Sequence, residues 1–290
     1  MKRIAESELI LNPDGSIYHL KLKPENIADD IIVVGDPGRV PVISAYFDSV
    51  EFKQSNREIV THTGYIGKKR LTVMSTGMGT DNLDIVINEL DAIVNIDLEN
   101  RVPKETHKAL NIIRLGTSGA MQEDIPVGSY VMSTHGIGLD GLMWFYAAGK
   151  KVIDEDLTAA FLKQTNWPED LPKAYIVPGS NALMNKMEKG YVKGVTATAP
   201  GFFGPQGRVL RLDLAYPDLN DRISNFRYEN YRITNFEMET SALYGLSRAL
   251  GHNAMTVCAI IANRLRKEYA KDYKPNVMAL IEDLLEKLAH

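Results

Sequence analysis

Short apolar runs rich in β-branched residues recur along this chain, separated by turn clusters or by segments with helical spacing. That alternation is its strongest constraint on fold. Ile31-Ile32-Val33-Val34 runs into the turn residues Gly35-Asp36-Pro37-Gly38 and reads as a buried strand feeding a loop. Segments 58–66 and 70–76 are strand-like, and the Gly67-Lys68-Lys69 link is short enough for a hairpin. Further strands are predicted over 111–115, 129–133, 174–177, 192–197 and 255–261. From Leu83, apolar residues at Val86, Ile87, Leu90, Ile93 and Val94 fall on one face of a helix. A second helix over 239–250 carries Ala242, Leu243, Leu246, Ala249 and Leu250 on one face and stops at Gly251. A third begins near Pro275 and places Val277, Leu280, Ile281, Leu284, Leu285 and Leu288 together.

Hydrophobic residues make up 44% of the 290, enough for a sizeable core, and no repeat, low-complexity tract or linker interrupts the pattern. The expected fold is α/β: a single domain over 1–290, built as a three-layer α/β/α sandwich around a mixed or largely parallel central sheet. Lys plus Arg is 33 against 37 for Asp plus Glu, a net charge of −4, and no dense basic block stands out. Nucleic acid and membrane surfaces are therefore not expected partners. The only cysteine, Cys258, excludes an intrachain disulfide and a cysteine metal cluster, and its apolar surroundings predict a buried, inert thiol. The opening residues Met1 to Glu8 carry charges early and lack the apolar core of a signal peptide, and nowhere do 18 apolar residues run uninterrupted; a cytoplasmic location is expected. Segment 97–108, with Arg101, Lys104, Glu105 and Lys108 around Pro103, reads as a solvated connection whose charges need no function.

Two glycine-rich segments read as turns that follow strands, Gly35-Asp36-Pro37-Gly38-Arg39 and Gly116-Thr117-Ser118-Gly119, and Arg39 and Arg114 lie beside them. Backbone N–H groups in such a turn can approach an anion, and a guanidinium adds a permanently charged, bidentate donor. Neither segment fits the dinucleotide or Walker A pattern, so a small oxyanion such as inorganic phosphate suits better. The alternative is a pair of tight turns with surface arginines.

In combination with other motifs, the chain resembles the nucleoside phosphorylase family, whose members cleave N-glycosidic bonds with phosphate. The matching pieces run in family order: Tyr18-His19-Leu20, Gly35-Asp36-Pro37-Gly38-Arg39-Val40, Asn56-Arg57-Glu58, Ser75-Thr76-Gly77-Met78-Gly79, Arg114-Leu115-Gly116-Thr117-Ser118-Gly119, Phe202-Phe203-Gly204-Pro205-Gln206-Gly207-Arg208, and Phe236-Glu237-Met238-Glu239. The resemblance implies that Gly35, Arg39, Arg114 and Thr117 hold phosphate, with Arg57 reaching in from a neighbouring subunit. It also implies that Glu239 and Met238 grip the ribose, and that His19 meets the 5′ hydroxyl across a subunit boundary. The expected assembly is a homo-oligomer, a dimer or a hexamer built as a trimer of dimers. Glu58, with Asn82, resembles a position that binds a monovalent cation such as K+ in some relatives; an exposed, solvated glutamate is the alternative reading.

Uracil presents acceptor, donor and acceptor along one edge, which the amide of Gln206 matches at two adjacent positions while Arg208 donates to a carbonyl oxygen. Phe202 is a candidate to pack against the base or sugar. Purine-specific relatives place an aspartate after the late strand, but here that strand ends Ala262-Asn263-Arg264, and Arg264 matches the pyrimidine branch. The implied reaction is uridine plus phosphate giving uracil and ribose 1-phosphate, with deoxyuridine and thymidine as further candidates and a role in pyrimidine salvage. Arg114, Thr117, Gln206, Arg208 and Glu239 are its candidate catalytic residues; phosphate is a co-substrate, and neither a metal nor another cofactor is called for. The rival readings are a hydrolytic nucleosidase of the same fold, whose known members lack the phosphate-binding arginines, and a non-catalytic nucleoside-binding protein. Around the base site, Gly204-Pro205 reverses the order found in compact bacterial members, and Arg211 adds a nearby basic residue.

Overall fold

The computed structural model describes residues 3–187 and 190–289. The first two residues of the opening run and the last of the chain lie outside that range. The strands in chain order are β1 (Asp30–Val34), β2 (Ser49–Asn56), β3 (Ile59–Ile66), β4 (Lys69–Ser75), β5 (Ile96–Asp97), β6 (Val102–Pro103), β7 (Asn111–Ala120), β8 (Tyr130–Gly138), β9 (Tyr175–Pro178), β10 (Val192–Thr198), β11 (Arg227–Tyr228), β12 (Tyr231–Glu237), β13 (Asn253–Asn263) and β14 (Glu268–Tyr269). The helices are α1 (Arg39–Ser44), α2 (Thr80–Asn95), α3 (Gly149–Val152), α4 (Glu155–Gln164), α5 (Asn181–Met184), α6 (Leu219–Ser224), α7 (Thr240–Ala249) and α8 (Lys274–Ala289).

Among the described residues, twelve strands form one mixed sheet whose main path runs β11-β12-β10-β8-β13-β7-β1-β4-β3-β2. β1 pairs in parallel with β4 and β7, and β13 is parallel to β7 but antiparallel to β8. β12 pairs in parallel with β10 and also reaches β7, through Asn235 opposite Ala120 and Phe236 opposite Gly119. The strands β12, β10, β8, β13 and β7 therefore curl into a closed ring, while β1 to β4 continue as an open sheet.

Alternating residues of β1 face opposite layers, as strand geometry requires. Ile31 and Val33 join Leu83, Val86, Ile87 and Leu90 of α2 and Leu243 and Leu246 of α7 in one core. Ile32 and Val34 join Leu280, Ile281 and Leu284 of α8 in another, so the expected three layers are present. A third cluster, around Phe161, Ile137, Val195 and Ile233, lies beside the closed ring. Helix α7 ends where its glycine predicts: Gly251 has φ +79, its N–H donates to Arg248 O, and His252 N–H donates to Ser247 O.

Several sequence expectations are corrected. Segment 116–119 is not a turn but the continuation of β7, because β13 offers a parallel partner through Gly116 opposite Cys258 and Thr117 opposite Ala259. Glu58 belongs to the tight connection between β2 and β3 rather than to a strand, and β2 itself is an additional edge strand. β8 runs well past residue 133, and β12 is a further strand absent from the sequence reading. Segment 97–108 is not merely a solvated connection: β5 and β6 pair there, the Arg101 guanidinium donates to Leu9 O, and Lys104 donates to Val94 O. Its charges anchor the N-terminal segment and the end of α2.

Candidate active site

A cavity of about 870 Å3 opens where β1, β7, β12 and β13 end, between the Gly35–Pro37 turn and the loop after β10. Its inner wall holds a buried ionic cluster. Arg114 Nη2 donates to Glu239 Oε2, and Nη1 lies 3.2 Å from both Glu237 Oε2 and Cys258 Sγ. Burial works against the Arg114 charge, but Glu239 and Glu237 outweigh it and hold the guanidinium above its ordinary value. Burial likewise raises the Glu239 carboxyl above the usual carboxylate range, with Arg114 pulling the other way. The Cys258 thiol, fully buried beneath the guanidinium, is pushed up to about 11 by that burial, which agrees with the inert thiol expected.

Backbone features position this cluster. A Cβ on Gly116 would sit 2.2 Å from Arg114 Nη1 and 3.0 Å from Cys258 Sγ, so the missing side chain makes room for the guanidinium. Glu237 accepts from Glu239 N and Thr240 N at 2.9 and 3.0 Å and from Thr198 Oγ1 at 2.6 Å, which satisfies orphan donors at the start of α7. Glu239 Oε1 accepts from Gly79 N at 2.8 Å, tying the head of α2 to the same carboxylate.

Gly35, Arg39 and Thr117 line the cavity near this cluster, as do Met238, Glu58 and Asn82. Burial lowers the Arg39 guanidinium from its ordinary value, Asp36 opposing. Glu58 and Asn82 flank Gly77, on whose φ +73 backbone a Cβ would meet Asn82 Nδ2 at 2.2 Å and Glu58 Cγ at 3.0 Å.

At the other end stand Phe202, Gln206, Arg208 and Arg264. Gln206 is buried in a 3₁₀ turn, Gly204–Gln206, and its carbonyl accepts from Asn220 Nδ2 at 2.9 Å. Gly207 follows at φ +68, where a Cβ would strike that same Asn220 amide at 2.2 Å, so the middle residue of Gln-x-Arg has to be glycine here. Arg208 Nη1 donates to Gln206 Oε1 at 2.6 Å. Arg264 Nη2 donates to Gly207 O at 3.0 Å, while its Nη1 is a buried donor without a partner among the described residues.

His19 and Arg57 do not line this cavity. His19 Nδ1 lies 2.6 Å from Glu89 Oε1, Asn56 Nδ2 donates to the His19 carbonyl, and the exposed Arg57 sits over the Tyr18 ring at 5.9 Å. These residues form a separate surface patch.

A model of the Phosphorylase superfamily matches residues 29–289. The chain belongs to this superfamily. Within the phosphorylase superfamily, it is 29% identical to a uridine phosphorylase of Thermococcus kodakarensis, with 100% of this chain and 92% of that protein aligned. It is also 27% identical to a purine nucleoside phosphorylase of the DeoD type from Bacillus cereus, over 83% of this chain and 85% of that one. A solved Trypanosoma brucei nucleoside phosphorylase, described as showing uridine phosphorylase activity, superposes with a TM-score of 0.86 at 31% identity and covers 97% of this chain and 99% of that one. The family resemblance read from the motifs is borne out.

The sequence reading left Glu237 and Cys258 without roles, although both touch Arg114 in this superfamily member. Glu237 was visible as an acid two residues before Glu239, but only the fold shows that its carboxylate turns inward. Among the described residues a second cluster, Asp91, His107 and His252, has metal-ligand side chains. His252 Nδ1 accepts from Leu110 N at 3.1 Å, so the neutral ring carries its proton on Nε2, 3.2 Å from Asp91, and presents no lone pair to a cation there. No helix among the described residues is long and apolar enough to cross a membrane.

Proposed function

We propose that this chain cleaves uridine with inorganic phosphate, giving uracil and ribose 1-phosphate. The observation that carries the reading is the base end of the cavity. There the buried Gln206 amide stands beside Arg208 and Arg264, one buried guanidinium nitrogen has no partner among the described residues, and β13 ends at Asn263 and is followed by Arg264, with no acid at either position. Such a pocket offers donors to carbonyl oxygens and to a departing uracil anion, and it offers no carboxylic acid to protonate a purine nitrogen.

At the inner wall, Glu239 accepts from the ribose hydroxyls and Met238 packs against the sugar. Phosphate occupies the space bounded by Gly35, Arg39, Arg114 and Thr117, below the anomeric carbon, where its charge stabilises the oxocarbenium-like transition state. As the glycosidic bond breaks, its electron pair leaves with uracil, and a phosphate oxygen forms the new bond to the sugar. The reaction balances with uridine and phosphate alone.

Arg114 is already engaged by two carboxylates, so the dianion calls for positive charge beyond Arg114 and Arg39. In this reading Arg57 of a neighbouring copy supplies it, and His19 of that copy meets the 5′ hydroxyl; a dimer is then the smallest complete unit, and a hexamer repeats it. Glu58 and Asn82 are the place for a monovalent cation such as K+. One domain over 1–290 carries the whole reaction, in the cytoplasm.

The test is base release from uridine, deoxyuridine, thymidine, inosine and cytidine, with and without phosphate, and with ribose 1-phosphate assayed. Uracil and ribose 1-phosphate appearing only with phosphate is the expected result; phosphate-independent release would make the chain a nucleosidase. A second check is Gly116→Ala, whose methyl collides with Arg114. Overpacking should cost about 1–3 kcal/mol of stability and raise KM for phosphate. An unchanged KM would remove Arg114 from the phosphate site.

A further inference from the structure

Two guanidinium groups share the base end of the cavity, and among the described residues no carboxylate acts on either. Burial depresses the Arg208 guanidinium, and Arg264 adds to the effect. A half-buried cation beside a like charge drifts toward solvent unless something holds it in place. For Arg208 the holding groups are the Phe202 ring, the Phe202 carbonyl and the Gln206 amide. Its Cζ lies 3.8 Å from the centroid of the Phe202 ring, and Nη1 donates at 2.6 Å to both the Phe202 carbonyl and Gln206 Oε1. The Phe202 ring in turn meets Phe203 edge-on, with centroids 5.2 Å apart and planes at 84°. One face of Phe202 is therefore covered by the guanidinium, although the residue as a whole is 51% exposed.

The electron-rich face of an aromatic ring attracts a cation most strongly where water is displaced. We propose that Phe202 is a positioning residue for Arg208: its ring holds the guanidinium where it donates to the base, and the ring's contribution to turnover passes through that cation rather than through stacking on uracil. This rests on the uridine reading above, and it reassigns Phe202 from packing against the base to acting behind it.

A double-mutant cycle separates the two roles. Phe202→Leu is expected to lower kcat for uridine by about 5- to 30-fold, the range of a partly desolvated cation–π contact. Phe202→Tyr keeps the ring face and should stay within about twofold of wild type. In an Arg208→Ala background, Phe202→Leu should change kcat by less than about twofold, since the cation it serves is gone. With 5-fluorouridine, whose leaving group is the more stable anion, the Phe202→Leu loss should shrink, because less donor assistance is needed. Uracil binding measured by calorimetry on the wild type, Phe202→Leu, Arg208→Ala and the double variant gives the cycle without relying on turnover. An equal loss in both backgrounds, or an equal loss for uridine and 5-fluorouridine, would overturn the proposal and return Phe202 to direct stacking. A wild-type protein that does not cleave uridine would overturn the functional reading itself, and this proposal with it. That failure is seen in the wild type, whereas the other is seen only in the variants.

Discussion

Arg208→Ala is expected to lower kcat for uridine phosphorolysis by about 10²- to 10³-fold, the loss that follows removal of one donor aimed at developing negative charge. The charge develops on uracil as the glycosidic bond breaks, and Arg208 is a permanent cation whose Nη1 already shares Gln206 Oε1. Removing it also frees the acceptor of a buried amide, which turns to other partners and loses its fixed orientation. Phosphate binding should be nearly untouched, because Arg114 and Thr117 lie on β7 at the other end of the cavity. Steady-state kinetics with a phosphate-binding titration on the same variant checks both halves, and near-normal turnover would move the base site elsewhere.

Arg114→Ala should abolish detectable turnover and also destabilise the fold, by about 3–5 kcal/mol, the usual cost of stranding a buried charge. Two carboxylates are stranded here, Glu237 and Glu239, both of them buried. The melting temperature should fall on the order of 10 °C. The pH dependence follows from the same cluster. The Glu239 carboxyl is already raised by burial with Arg114 present, and losing Arg114 removes the group that opposes that rise. A carboxyl whose folded pKa lies above its unfolded one binds more protons when folded, so stability falls as pH rises through the folded value. The deficit of Arg114→Ala should therefore be smaller near pH 5 than near pH 8, as read by thermal melts at the two values. Adding Glu239→Gln should recover part of the stability and none of the activity. A pH-independent deficit would mean that water reaches and solvates the cluster.

Much of the candidate site was legible because its residues sit in short contiguous motifs. Gln206, Gly207 and Arg208 are adjacent, and so are Glu237, Met238 and Glu239. Cys258 shows the opposite case: it lies 144 positions after Arg114 and meets it only because β13 pairs with β7. Segment 116–119 looked like a turn because two glycines usually break a strand, yet here Gly116 is the space into which Arg114 folds. β2 escaped notice because as an edge strand its residues are alternately exposed and half-buried, with Glu51 and Lys53 on the open side and no continuous apolar run. β12 escaped because Thr234 and Asn235 interrupt its apolar pattern; their side chains are buried and satisfied by Val195 O and Ser118 Oγ. Helices with a clean apolar face, α2, α7 and α8, were located to within a few residues, since burial of that face alone specifies them.

The two halves of the cavity rest on different kinds of backbone. Arg114, Thr117 and Glu237 belong to strands β7 and β12, which pair with each other and close the ring, so they move only if the barrel opens. Phe202, Gln206 and Arg208 belong to an irregular loop between β10 and α6, fastened at Gln206 O by Asn220 and at Gly207 O by Arg264 rather than by strand pairing. On the proposed function, the base end is therefore open to change at that loop and at Arg264, just after β13, without breaking the β7–β12 pairing that holds Arg114, Thr117 and Glu237. One end of the cavity is thus set by strand pairing and the other by side-chain hydrogen bonds to a loop, so substitution disturbs the least backbone order at the second.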